Sequence, residues 1–314
     1  MKKTLNFVGR SKIFFGISLA IILIGIICNV IFGTTLDIQF KGGSVVKYSF
    51  TGDIDDAALK DTIQKATPNN KVTFSISRDK MNDDGKKEAY IIDINFSGEK
   101  NISIDQQNTL TKSLKETFKA NNFEYSESTT VDAAMGFNFL LKCLTAVVIA
   151  CVLMVVYVTI RFKYIGGFSA GVMALVALFH DVAMIYFMYV IFKMPIDSNF
   201  IAVVLMILGY SLNDTIVIYD RVRENRKLMG PKADIADVFN KSATGVLGRT
   251  IWTSITTLTA IGTVYVVATI FNLDSVQSFA LPMMIGVLSG CYSSICIAGP
   301  LWVMWKKKKA DKNA

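Results

Sequence analysis

The sequence predicts a polytopic α-helical membrane protein with six transmembrane helices and one α+β domain outside the bilayer. Three observations carry this prediction. The 314 residues are 52% hydrophobic and only 18% charged, with a mean hydropathy of +0.43, which is too apolar for a water-soluble chain of this length. The apolar residues fall in six runs, each long enough to cross a hydrocarbon core about 30 Å thick at about 1.5 Å per helical residue. Residues 34–138, between the first and second runs, are polar and alternating, and too long to be a loop.

The basic leader MKKTLNFVGRSK, residues 1–12, precedes the first span, IFFGISLAIILIGIICNVIFG, residues 13–33. This run exceeds the apolar stretch of about 7 to 15 residues in a secretory signal, and GTTLD after it lacks a small-x-small cleavage pattern. An uncleaved anchor is expected. In the polar segment, VVKYSF (45–50) alternates like a strand, and DIDDAALKDTIQKA (53–66) has acidic residues in its first turn and an apolar helical stripe. KVTFSISR and EAYIIDINF read as two strands joined by DKMNDDGKK, a turn-rich hairpin link. ISIDQQNTLTKSLKETFKA reads as a second helix and FEYSESTTV as a last strand. The order βαββαβ is that of a ferredoxin-like domain.

Five more spans follow, at about 139–160, 165–192, 199–219, 249–271 and 278–304, and then a basic tail, residues 305–314. Lys and Arg set their orientation. Lys2, Lys3, Arg10 and Lys12 of the leader, Arg161 and Lys163 after the second span, the link after the fourth, and WKKKKADKNA all fall on one side. The opposite short links hold only Lys193 and, in NLDSVQ, no base. Both termini are therefore expected in the cytoplasm and residues 34–138 outside. The net charge of +8 is then a topology signal, and its neighbour is the lipid membrane with its anionic headgroups, with no nucleic acid as partner.

Cys28, Cys143, Cys151, Cys291 and Cys296 all lie in apolar runs, and His180 is the single histidine, so neither a disulfide framework nor a metal centre is expected. KGGS (41–44) lacks the length and the following Lys-Ser or Lys-Thr of a phosphate loop. No cofactor and no enzymatic site are expected. The chemistry lies in the spans, where an ionisable side chain costs about 2.5 to 3.5 kcal/mol and is a functional hypothesis by default. In GYSLNDTIVIYDRVREN, residues 209–225, Tyr210, Ser211, Asp214 and Thr215 share one helical face beside Asn213. That face either carries a proton or glues helices together. GRTIWTSITTLTAIGT opens the fifth span with Arg249, Thr253, Thr256 and Thr257 along one side, and Arg249 is either a partner of Asp214 or a headgroup anchor. His180 and Asp181 in the third span either continue a proton path or hold helices together. Gly167 with Gly171, and Gly286 with Gly290, have the spacing of helix-packing surfaces.

The stretch GYSLNDTIVIYDRVREN resembles the fourth-span signature of the SecF family, membrane subunits that work with SecD in bacterial protein export within the resistance-nodulation-division superfamily. LDIQFKGGS after the first span, RFKY after the second, HD in the third and GRTIWTSITT opening the fifth agree with that resemblance, which covers nearly the whole chain. It implies a multi-pass protein of the bacterial cytoplasmic (inner) membrane that uses the proton-motive force to promote polypeptide translocation. The implied partners are SecD, the Sec translocon channel with its accessory subunits, and the translocating polypeptide. It also implies that Asp214 and Arg249 take part in proton conduction. Two other classes fit the residues alone: a half-transporter exporting a small molecule or lipid, and a non-conducting scaffold subunit.

Overall fold

The computed structural model describes residues 4–68, 71–78, 89–97, 102–230, 232–271 and 273–313. The start of the leader and all of the DKMNDDGKK link, residues 79–87, lie outside them. The elements run α1 (Ser11–Phe32), α2 (Ile38–Lys41), β1 (Gly43–Thr51), α3 (Asp56–Ala66), β2 (Lys71–Arg78), β3 (Ala89–Ser97), α4 (Ile104–Thr117), β4 (Glu124–Val131), α5 (Ala133–Arg161), α6 (Gly167–Ile191), α7 (Ser198–Met229), α8 (Ile235–Ile270) and α9 (Asp274–Ser293). A π-helical turn, Ser294–Ala298, then leads into α10 (Gly299–Asn313). Among the described residues, six helical stretches are long and apolar enough to cross a membrane. The chain divides into two compact units, one of residues 1–35, 144–266 and 275–314 and the other of residues 36–143 and 267–274.

In the helical unit, α6, α7 and the stretch 275–312 are 56%, 56% and 61% buried over their apolar windows, against 11%, 6% and 11% for α1, α5 and α8. The first three therefore form the core, and the others turn most of their apolar surface outward. Gly167 and Gly171 of α6 approach the backbone of α5 so closely that a side chain would collide with or crowd it, and Gly286 and Gly290 of α9 do the same against Ile207 and Ser211 of α7. The apolar core widens toward the basic end, where Phe162, Tyr219, Val222, Phe239 and Trp302 are all buried. There the leader is tied to α8, because Asn240 Oδ1 accepts from the backbone of Phe7 and Val8.

Hydropathy places the fourth and fifth spans at 199–219 and 249–271 with a long basic link. The backbone stays helical through Met229 and is helical again from Ile235. Apolarity marks where lipid is, whereas helical hydrogen bonds continue into water wherever the residues favour them. RVRENRKLM does so, with Arg226 and Lys227 in the last turn, where cations favour the helix dipole.

In the other unit the strand order is β2-β3-β1-β4, with every neighbouring pair antiparallel. Alternation along the strands sends Val46, Tyr48, Phe50, Ile92, Ile94 and Phe96 to one face. They pack there with Leu59 and Ile63 of α3 and Leu110 and Leu114 of α4, all fully buried. Asp55 caps α3, and Ser103 forms a capping box with Gln106 on α4.

Tyr48 is fully buried, its hydroxyl hydrogen-bonded to that of Thr111 at 2.9 Å, and burial pushes its pKa up. Above the ordinary tyrosine value of about 10, the unfolded chain gives up a proton that the folded chain keeps. Tyr48 therefore contributes fully below that pH, and its contribution is lost as the pH rises toward its folded value. Tyr48→Phe is expected to cost about 1 kcal/mol at neutral pH. Thermal unfolding followed from neutral to alkaline pH should show a shallower loss in the variant, and equal slopes would refute the assignment.

Candidate functional site

Two carboxylates lie inside the helical core, and their surroundings differ. Asp181, on α6, is fully buried. Its Oδ1 accepts from Ser289 Oγ at 2.6 Å, and its Oδ2 accepts from Ser211 Oγ at 2.7 Å and Ser293 Oγ at 2.8 Å. One donor comes from α7 and two, four residues apart, from α9. His180 Nδ1 is 3.3 Å from the same Oδ1, while its Nε2 is buried with no hydrogen-bond partner among the described residues. Asp181 thus joins three helices through side-chain hydrogen bonds.

Asp214 sits one turn beyond Ser211 on α7 and is 5% exposed. Its Oδ2 is buried and, among the described residues, receives no hydrogen bond. Thr215 beside it donates to Ser294 Oγ at 3.0 Å, and Ser294 donates to the Ser211 carbonyl at 3.1 Å, so the π turn holds this part of α7 in place. Tyr210 donates to Ser254 Oγ of α8 at 3.3 Å. At the basic end of the helix, Asp220 is paired with Arg161 of α5 and Arg223 of α7, each at 3.0 Å.

The structure therefore brings Tyr210, Ser211 and Thr215 to interhelical hydrogen bonds and buries Asp214 on the same helix, with Asp181 bonded to Ser211 and His180 beside it. Asn213 is exposed, one residue off that face. Arg249 is also exposed; its charge acts on Asp214, but among the described residues the two form no ion pair within 4 Å. Thr253, Thr256 and Thr257 each donate to a carbonyl of their own helix. The buried polar side chains at this level of α8 are Thr250 and Ser254, one residue from the expected stripe, and the Thr250 hydroxyl has no partner among the described residues. The serines of α9 and the π turn escaped the sequence reading. The spacing of Ser289 and Ser293 in an otherwise apolar run is the signal that points to them.

The arrangement separates two tasks. Asp181 has both oxygens filled by serine donors. Asp214 has one buried oxygen that receives no hydrogen bond among the described residues. Among the described residues no group of three His, Cys, Asp or Glu side chains is placed to hold a metal ion.

A family model described as "Protein export membrane protein SecD/SecF, C-terminal" matches residues 109–308. The protein translocase subunit SecF of Sebaldella termitidis is 31% identical over 288 residues, covering 90% of this chain and 85% of the relative. That of Petrotoga mobilis is 31% identical over 99% of both chains. The protein translocase subunit SecDF of Bacillus subtilis is 30% identical over 98% of this chain, which spans 39% of that relative. Among solved structures, the crystal structure of SecDF from Thermus thermophilus, described as a translocon-associated membrane protein, matches with a TM-score of 0.77 and 25% identity. The match covers 98% of this chain and 39% of that one.

Proposed function

The chain belongs to the SecD/SecF family of protein-export membrane proteins, and on that premise we propose that it is a SecF-type subunit of a bacterial protein translocase. It works with SecD, beside the Sec channel, and uses the proton-motive force to promote passage of polypeptide. The observation that carries the proton role is the buried Asp214 carboxylate with one oxygen free of donors, within the electrostatic reach of Arg249. Each elementary charge crossing 100 mV releases about 2.3 kcal/mol, enough to bias a helix repacking of a few kcal/mol. Pairing with SecD is supported by the SecDF relative, whose name joins both subunits and of which this chain matches about two fifths.

The same reading puts the protein in the bacterial inner membrane with both termini cytoplasmic and the sheet unit outside. The element order and the all-antiparallel order β2-β3-β1-β4 support a ferredoxin-like domain there. Purification from native membranes under mild detergent is expected to recover SecD and the Sec channel with this chain. Recovery alone, or with an unrelated exporter, would overturn the assignment. For Arg249, Lys keeps the charge and loses the planar fork. Arg249→Ala is expected to lose proton-dependent export and Arg249→Lys to keep only part of it. Unimpaired export by both variants would leave Arg249 as a headgroup anchor.

A further inference from the structure

Thr250 departs from its neighbours on α8. Thr244, Thr253, Thr256, Thr257, Thr259 and Thr263 each donate to a carbonyl of their own helix, which satisfies a threonine hydroxyl at any depth. Thr250 is 1% exposed, and its hydroxyl has no partner among the described residues. A buried hydroxyl left unpaired is costly, and a buried carboxylate oxygen more so. Asp214 Oδ2 on α7 is such an oxygen.

The register of α7 on α8 brings these two groups to one level. Tyr210 donates to Ser254, a Cβ on Gly245 would meet Arg221 Nε at 3.6 Å, and Asn225 donates to Ser242. Each step forward along α7 is thus matched by a step back along α8. Asp214 lies four residues beyond Tyr210, and Thr250 lies four residues before Ser254. One helical turn along from the Tyr210–Ser254 bond, they therefore stand opposite each other. The charge of Arg249, next to Thr250 in the chain, acts on Asp214 and agrees with that level. On a third side, Cys291 of α9 interacts with Ser254 and with the charge of Asp214.

We propose that Thr250 positions a water molecule against Asp214 Oδ2 and that Asp214 exchanges its proton with this water, an inference that rests on the proton role given to Asp214 above. Neither atom bonds the other, and one water between them completes both. A proton arriving on the water passes to Oδ2, the carboxylate becomes a carboxylic acid, and neutral water remains. In the reverse step the acid returns the proton to the water. Thr250 keeps its own proton throughout and acts through the water, as a positioning residue.

The test follows secretion of a labelled precursor into vesicles carrying the full complex, with and without an ionophore. Thr250→Val, which replaces the hydroxyl by a methyl, is expected to lose about tenfold in the gradient-driven rate, the worth of one hydrogen bond to a charged group. Thr250→Ser keeps the hydroxyl and should keep the rate. Thr259→Val, at an exposed threonine bonded to its own helix, should respond as the parent does. Because the Thr250 hydroxyl has no protein partner, the melting temperature of purified Thr250→Val should equal or exceed the parent's. Infrared difference spectra of the purified chain between acid and alkaline pH report the carboxylic C=O stretch of Asp214, identified by its loss in Asp214→Asn. Thr250→Val should move this band to higher frequency, since a carbonyl that loses a donor stiffens, and Thr250→Ser should leave it in place. An unmoved band in Thr250→Val would overturn the water site. So would a gradient response kept by Thr250→Val and lost by Asp214→Asn, which leaves the proton role of Asp214 standing. A gradient response kept by both would overturn that role as well. A lower melting temperature and lost export in both Thr250→Val and Thr250→Ser would make Thr250 a packing residue only.

Discussion

Asp214→Asn is expected to insert, fold and bind its partner as the parent does, and to lose the part of export that depends on the proton-motive force. The amide matches the carboxyl in size but does not ionise. The oxygen it replaces has no donor among the described residues, so no hydrogen bond to it is lost and the change in stability should stay under about 1 kcal/mol. The measurement is secretion of a labelled precursor into membrane vesicles, with and without an ionophore. The variant's rate should match the collapsed-gradient rate of the parent in both conditions. Export that still responds to the gradient would sink the proton role of Asp214 and leave it as interhelical glue.

Asp181→Ala is expected to do the reverse, lowering stability by about 3 kcal/mol. It leaves the hydroxyls of Ser211, Ser289 and Ser293 without their acceptor in the core, and each orphaned group costs about 1 kcal/mol or more. Asp181→Asn, whose amide oxygen still accepts, should fall between. Thermal unfolding of the purified chain checks this, and a melting temperature equal to the parent's would show that the serine cradle contributes nothing. Together the two variants separate a carboxylate that works from one that holds.

What was legible followed from local periodicity. Three- and four-residue steps along GYSLNDTIVIYDRVREN put Ser211, Asp214 and Thr215 on the buried side and leave Asn213 outside. Neighbours that come from another helix carry no such signal. The donors to Asp181 lie 30, 108 and 112 residues away, and nothing in the third span announces them. On α8 the expected polar stripe missed the buried one by a single residue, about 100° of rotation. A threonine that bonds its own helix's carbonyl is satisfied on either side, so composition does not decide which threonines turn inward. The βαββαβ order of the sheet unit was legible because strand alternation and capping residues are local. The continuation of α7 past Tyr219 was not, because hydropathy measures the solvent rather than the backbone.

The length of α7 has a mechanical meaning. Its 32 residues reach about 48 Å, well beyond a hydrocarbon core of about 30 Å. From Asp214 to Met229 it contains neither glycine nor proline, so no hinge absorbs a twist imposed at the carboxylate. Asn225, about three turns further on, is bonded to Ser242 of α8 at 2.8 Å. The helix thus runs without a flexible break from Asp214 to the hydrogen bond that joins it to the next helix.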